Sequence, residues 1–169
     1  MSHRGNLIGN APGYAVLGSG IDQVYPSVNR PLAKRILDSG GAIISEYPPG
    51  VRPSKWTFPA RNRIIAAMSR GVLIVEAPKK SGALITAAFA LEQGKDLWVA
   101  SSGVREDGKF DKRGTVKLAD DGAEIIYSAC DVLNKWNMAV GEFEINAAET
   151  GADKNGIIHS MANFLKIEI

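Results

Sequence analysis

Short apolar runs alternate with helical segments between residues 14 and 127, and this alternation leaves few folds open to the chain. The predicted strands are residues 14–17, 42–46, 72–75, 97–100 and 123–127. The predicted helices are residues 29–40, 59–69, 83–93 and 115–121, where the first range includes Asn29 as a cap and Gly40 as a terminator. Strands of four or five residues that alternate with longer helices are typical of βαβ units, which build a parallel sheet.

The expected architecture is therefore an α/β fold: an open parallel sheet of Rossmann-like type with helices on both faces. In such sheets, ligands bind at the carboxyl ends of the strands. The helix predicted at residues 83–93 is apolar nearly all round, so we expect it to be heavily buried. We place the Rossmann-like domain at residues 1–130 and a tail of uncertain structure at 131–169, where residues 157–169 fit either a helix or a strand.

The composition excludes several classes of protein. A single cysteine, Cys130, excludes a disulfide framework and a cysteine-based zinc site, and the two histidines lie at opposite ends of the chain. We therefore expect no metal and no cofactor. No apolar run approaches the roughly 20 residues that span a bilayer, and no hydrophobic stretch follows the N-terminal residues. The expectation is a cytoplasmic protein with no membrane partner.

The net charge of +2 conceals an uneven distribution. Residues 30–80 contain ten basic and three acidic side chains, whereas residues 118–169 contain three basic and nine acidic ones. The basic excess in the first range favours a polyanionic partner. Solvated faces of ordinary helices are the alternative explanation.

Gly18, Ser19 and Gly20 begin like a dinucleotide-binding fingerprint, directly after a predicted strand. The third glycine is missing, because Gln23 occupies its position. A simple tight turn and a turn that also approaches a ligand phosphate are both open. The chain contains no Walker A sequence, so we do not expect a nucleoside triphosphate hydrolase.

The segment from Lys55 to Arg63 places three cations and two aromatic rings at the start of a predicted helix; its members are Lys55, Trp56, Phe58, Arg61, Asn62 and Arg63. Cations at a helix N-terminus oppose the helix dipole, and a bound anion would reverse the sign of that interaction. The rings can stack nucleobases, which is how single strands are commonly held. The alternative is that both rings anchor the core and that the arginines pair with Glu46 or Glu76.

A second candidate anion site follows the predicted strand at residues 72–75. Ser81 can cap the next helix, Gly82 allows close approach of the backbone, and Lys80 adds positive charge. We expect the hydroxyl of Thr86 to face the core and to bond within its own helix. A plain strand-to-helix connection is the alternative.

No arrangement for covalent or acid–base catalysis stands out, and we expect a binding module rather than an enzyme. The neighbouring carboxylates Asp120 and Asp121, and the pair Glu142 and Glu144, belong to the acidic part of the sequence. Residues 105–113 read as a polar loop.

Several blocks of sequence occur in the order of a known family. The blocks are HRG (3–5), AVLGSGID (15–22), YP (25–26), SEYPPG (45–50), FPARNRIIA (58–66), VEA (75–77), KSGALITA (80–87), ALEQG (90–94) and GTVKLADDGA (114–123). Taken together, residues 3 to 127 resemble the DprA/Smf family of bacterial DNA-processing proteins. The resemblance implies a Rossmann-like domain that binds single-stranded DNA, usually forms a homodimer, protects incoming DNA during natural transformation and assists loading of the RecA recombinase. It implies no catalytic activity.

The resemblance also implies which residues bind DNA. The family's pocket combines a basic residue and an aromatic residue before an Arg-Asn-Arg block with a Lys-Ser-Gly loop. The candidate residues for binding nucleic acid or phosphate are Lys55, Phe58, Arg61, Asn62, Arg63, Lys80, Ser81, Gly82, Gly18, Ser19 and Gly20.

The sequence departs from the family pattern at three places. The family's first two strands, with a Gly-Ser-Arg loop and a Ser-Gly turn, would precede His3, so we expect a fragment or a shortened homologue. The stretch from Ala100 to Gly103 replaces a Pro-Gly turn, and the tail does not read as a winged-helix domain.

Two other functions stay open. The first is a nucleotide enzyme similar to the lysine-decarboxylase-like phosphoribohydrolases, although residues 79–91 lack the carboxylate that such chemistry needs. The second is a degenerate domain that only dimerises.

Overall fold

The computed structural model describes residues 2–9, 11–105, 108 and 110–138. Its strands are β1 (Tyr14–Val16), β2 (Ala42–Ile44), β3 (Gly71–Ile74), β4 (Asp96–Ala100) and β5 (Glu124–Ile126). Its helices are α1 (Ser2–Ile8), α2 (Arg30–Asp38), α3 (Thr57–Met68), α4 (Gly82–Glu92), α5 (Arg113–Asp120) and α6 (Ala129–Lys135). Each strand and helix predicted between residues 14 and 127 is present within two residues of its predicted ends, whereas α1 and α6 were not predicted.

All strands of the described residues pair in parallel, as the alternating pattern predicts. They form two sheets: β1 pairs with β2, and β3, β4 and β5 follow one another in a second sheet. Each pair of neighbouring strands is connected by a segment that contains a helix: α2 between β1 and β2, α4 between β3 and β4, and α5 between β4 and β5. The expectation of an α/β fold with parallel strands is confirmed, with the pairing divided between two sheets rather than one.

Strand β3 is buried on both faces, which explains its unbroken apolar sequence. Val72 and Ile74 pack with alanines of α3 and α4, including Ala66, Ala87 and Ala90. Leu73, on the opposite face, packs with side chains of β4, β5 and α6, among them Trp98, Ile126 and Val132. Because neighbouring residues of a strand point to opposite faces, this division places helices on both sides of the sheet.

Helix α4 is less buried than its composition predicts. Thr86, Ala87 and Ala90 are buried, but Ile85 is 38% exposed and Leu91 is 61% exposed. The expectation of a heavily buried helix is therefore wrong for one face, because only a single stripe of the helix contacts β3 and α3.

Helix α6 crosses residue 130, where we placed the end of the domain. The ring of Trp136, just after this helix, packs against Trp98 with ring centroids 5.3 Å apart, and its indole N–H donates to a carboxylate oxygen of Asp96 at 2.8 Å. These contacts join the helix to β4. The patterns discussed for residues 139–169 lie outside the described residues. Within the described ranges, no helix is long and apolar enough to cross a membrane.

Candidate nucleic-acid interface

The second turn of α3 lies next to the first turn of α4. Asn62 is completely buried, and its side-chain amide donates to the carbonyl oxygen of Gly82 at 3.4 Å. The hydroxyl of Ser81 caps α4 by accepting from the N–H of Ala83 at 3.2 Å, as predicted. At the start of α3, the hydroxyl of Ser54 accepts from the N–H of Thr57 at 3.2 Å. The two helices therefore meet near their N-terminal ends, where the helix dipoles are positive.

Arg61 brings a positive charge to this pair of helix ends. Its Nε donates to Oδ1 of Asn62 at 3.0 Å, and one terminal nitrogen donates to the carbonyl oxygen of Val16 at the end of β1. Burial lowers the pKa of this guanidinium below its ordinary value. Since an arginine stays charged in proteins, and no carboxylate pairs with Arg61 among the described residues, the site holds an uncompensated, partly desolvated cation.

Arg63, two residues after Arg61 and exposed on α3, has a partner. Its guanidinium forms an ion pair with the carboxylate of Glu46. The alternative that the arginines pair with Glu46 or Glu76 thus holds for Arg63 and not for Arg61. Glu76 lies 3.6 Å from the ammonium group of the buried Lys112 instead.

The two aromatic rings at the start of α3, Trp56 and Phe58, differ in their exposure to solvent. Trp56 is 74% exposed, with the ammonium group of Lys55 5.0 Å from its ring centroid, so the interpretation of Trp56 as a core anchor is wrong. Phe58 is partly buried, and its ring lies 5.6 Å from the Arg61 guanidinium and 6.0 Å from the ring of Tyr25. Tyr25 is 59% exposed and extends the aromatic surface. Tyr25 lies 33 residues before Phe58 and is not among the site residues predicted from the sequence.

The segment from Gly18 to Gly20 packs beneath the start of α3. A Cβ atom at Gly18 would lie 3.1 Å from the ring and 3.2 Å from the backbone of Phe58, and one at Gly20 would lie 2.5 Å from the carbonyl oxygen of Pro48. Ser19 is buried and donates its hydroxyl to the carbonyl of Gln23 at 2.6 Å. Close packing explains both glycines, so the geometry favours the tight-turn interpretation of this segment.

The loop before α4 presents two exposed lysines, Lys79 and Lys80. Neither forms an ion pair within the described part of the chain. Thr86, in the second turn of α4, is fully buried, and its hydroxyl has no hydrogen-bond partner among the described residues. The expectation that Thr86 bonds within its own helix is therefore wrong.

The structure thus joins five of the eleven predicted site residues through direct contacts. Gly18 contacts Phe58, Arg61 contacts both Phe58 and Asn62, and Asn62 contacts Gly82. Lys80 and Ser81 immediately precede Gly82, whereas Arg63 is bound to Glu46. Over residues 2–138, apart from the short undescribed gaps, there is no cluster of three or more histidine, cysteine, aspartate or glutamate side chains suited to a metal ion.

Comparison with known proteins gives consistent matches over this same region. The family model described as "DNA recombination-mediator protein A" matches residues 1–137. Protein Smf of Synechocystis is 46% identical over 134 residues, which are 78% of this chain and 32% of that protein. DNA processing protein DprA of Bacillus subtilis is 37% identical over 137 residues, covering 80% of this chain and 44% of that protein.

Two solved structures share the fold. The X-ray structure of DprA from Streptococcus pneumoniae has a TM-score of 0.70 and 37% identity, covering 78% of this chain and 45% of that one. The structure of DNA processing protein A from Helicobacter pylori, described for its single-stranded DNA binding mode, has a TM-score of 0.64 and 31% identity, covering 73% and 55%.

The chain spans a third to a half of the length of the curated relatives named here. Within that span, the family model covers most of the sequence, the relatives exceed 35% identity, and the fold agrees with that of two solved members. The resemblance inferred from the ordered blocks is therefore confirmed: the chain belongs to the DNA recombination-mediator protein A family, which includes DprA and Smf.

Proposed function

We propose that this chain binds single-stranded DNA across the adjoining N-termini of α3 and α4. The observation that carries the proposal is Arg61, a partly buried guanidinium with no carboxylate partner among the described residues, located between two helix ends that share the Asn62–Gly82 contact. A partly desolvated guanidinium near the N-terminal ends of two helices favours an anion with several oxygens, and a phosphodiester has that chemistry. The exposed side chain of Lys80 adds a positive charge two residues before the start of α4.

The aromatic surface supports a single strand rather than a duplex. Trp56, two residues before Phe58, is exposed, and the exposed ring of Tyr25 lies 6.0 Å from the ring of Phe58, which in turn contacts Arg61. An unpaired base can turn its face onto such rings, whereas the bases of a duplex are already stacked on one another. We therefore infer that one extended strand binds here, with its phosphates at Arg61 and Lys80 and its bases stacked on the aromatic rings.

Several finer proposals follow from family membership. The names of the family and its relatives support a role in recombination and DNA processing. We further propose that bound strands are protected and passed to the RecA recombinase. We place this activity in the cytoplasm, with the protein acting as a homodimer and as a binder without catalysis. Co-precipitation with RecA and light scattering of the purified chain test the two protein partners.

The direct test is fluorescence anisotropy of a labelled oligothymidylate titrated with the 169-residue chain at several salt concentrations. We expect binding that weakens steeply with salt, since phosphate contacts release counterions. Lys80→Gln should weaken binding for every sequence alike and reduce the slope of log K against log salt by about 0.7.

The matched control is Lys34→Gln, because Lys34 is also an exposed lysine but lies on α2 and pairs with Asp38 at 3.6 Å. It should bind as the unaltered protein does. Equal losses in the two variants, or binding that ignores salt, would contradict the proposed site. Release of free base from nucleoside monophosphates would instead support the phosphoribohydrolase alternative.

A further inference from the structure

The turn that leads into α5 lies against the lysine loop that precedes α4. The backbone N–H groups of Gly114 and Thr115 donate to the carbonyl oxygen of Ala77 at 2.9 and 3.2 Å. A Cβ atom at Gly114 would lie 2.5 Å from the carbonyl oxygen of Pro78, so the two backbones touch. The approach to α5 is therefore continuous with the surface that carries Lys79 and Lys80.

Asp111 fixes this turn in place. Its carboxylate oxygens accept from the guanidinium of Arg113 at 2.9 and 2.8 Å and from the backbone N–H of Arg113 at 3.1 Å. Hydrogen bonds from the Arg113 side chain and backbone lower the pKa of Asp111 to about 2, and the backbone N–H of Lys79 contributes in the same direction. The turn is thus anchored on the α4 side of the interface.

Phe110 immediately precedes Asp111 and is 68% exposed. The loop against which this turn packs carries the exposed ammonium groups of Lys79 and Lys80, whereas the guanidinium of Arg113 is already paired with Asp111. An aromatic face next to positive charges suits a nucleobase with its phosphate, whereas an apolar protein partner would have to desolvate those charges.

We propose that Phe110 is a second base-stacking position, at the α4 end of the strand path that begins at Trp56 and Phe58. This inference rests on the proposed function and extends it. The strand would run from the aromatic surface at α3, past Arg61 and Lys80, to Phe110, so the chain would contact bases at both ends of its phosphate site. A strand too short to reach from Phe58 to Phe110 should bind with the same affinity whether or not Phe110 is present.

The test combines a length series of oligothymidylates with three variants of the full chain. On a strand of about 12 nucleotides, Phe110→Ala should bind about tenfold more weakly than the unaltered protein, and on a strand of about 3 nucleotides the two should bind alike. Phe110→Trp should restore binding to the long strand, whereas Phe110→Leu should not, because leucine keeps apolar area without a ring face.

The matched control is Tyr14→Ala, which removes an aromatic ring of 56% exposure at the opposite, amino end of a strand. Melting temperatures of all variants confirm that the fold is kept. If the unaltered chain and Lys80→Gln differ as proposed but Phe110→Ala binds long strands normally, or if Phe110→Leu binds like Phe110→Trp, the stacking role is wrong and the main site stands. If the unaltered chain binds no strand at any length, both proposals fail.

Discussion

The side-chain amide of Asn62 reaches the carbonyl oxygen of Gly82 at 3.4 Å while its own carbonyl accepts from Nε of Arg61 at 3.0 Å. One buried side chain therefore sets both the spacing of two helix ends and the direction of the guanidinium between them. This dual contact gives the first prediction.

Replacing Asn62 by alanine should lower the free energy of unfolding by about 1–3 kcal/mol, since it removes the buried amide that bonds both Gly82 and Arg61. Asn62→Asp should also weaken oligonucleotide binding, because a carboxylate beside Arg61 would neutralise the cation that the phosphate needs. Urea denaturation measures the first effect and anisotropy the second. Asn62→Asp binding as tightly as the unaltered chain would contradict the role given to Arg61.

Trp56 should report binding directly. Of the three tryptophans, Trp98 is buried and Trp136 packs against it, whereas Trp56 is 74% exposed. A base stacked on Trp56 should quench its fluorescence, and Trp56→Phe should remove most of that quenching. Trp56→Ala should cost about 1–3 kcal/mol of binding free energy with little change in melting temperature. Quenching that persists in Trp56→Phe would mean that the strand lies elsewhere.

Two buried threonines should respond in opposite ways to the same substitution. Thr86 has no hydrogen-bond partner among the described residues, whereas the hydroxyl of Thr115 donates to the carbonyl of Gly103 at 2.6 Å and lies 2.9 Å from that of Lys112. Thr86→Val should raise the free energy of unfolding by about 1 kcal/mol, because it removes an unpaired buried hydroxyl without changing the shape. Thr115→Val should lower it by about 1–2 kcal/mol. Thermal denaturation compares them, and equal signs would refute this account.

Asp111 should make the stability of the α5 turn depend on pH in acid. Its pKa falls from 3.8 to about 2 in the folded chain, so the charged form favours the folded state. That contribution is complete above a pH of about 4 and is lost as the pH falls towards 2. Urea midpoints of the unaltered chain and of Asp111→Asn should therefore differ at neutral pH and converge in acid. A gap that widens in acid would show that the carboxylate does not stabilise the turn.

The helices and strands between residues 14 and 127 could be predicted because their signals are local. Gly40, Ser81 and the apolar run of β3 each specify a nearby backbone conformation. Helix α1 carries no such pattern, and the division of strands between two sheets depends on hydrogen bonds between distant segments. The exposed face of α4 could not be predicted either, because a uniformly apolar helix does not indicate which of its sides meets the sheet.

The sequence predicts which residue types the candidate site contains, but not which contacts they make. The cations at the start of α3 and the Lys-Ser-Gly loop before α4 predict an anion site from sequence alone, and anion binding there stays a prediction. Which arginine stays unpaired depends on Glu46, which lies 17 residues before Arg63. Tyr25 lies near Phe58, and the turn at Asp111 lies near Lys79, because of tertiary contacts between segments that are distant in sequence. No single segment encodes such contacts.

The guanidinium of Arg61 also donates to the carbonyl oxygen of Val16, the last residue of β1. The N–H of the next residue, Leu17, donates to the carbonyl oxygen of Ile44 in β2. The same guanidinium therefore fastens the two-stranded sheet to α3 and faces the proposed ligand. A phosphate that restrains this group would brace the end of β1 at the same time. With the ligand bound, the N-terminal half of the chain should therefore resist heat and proteolysis better than it does without ligand, even where the ligand does not contact it.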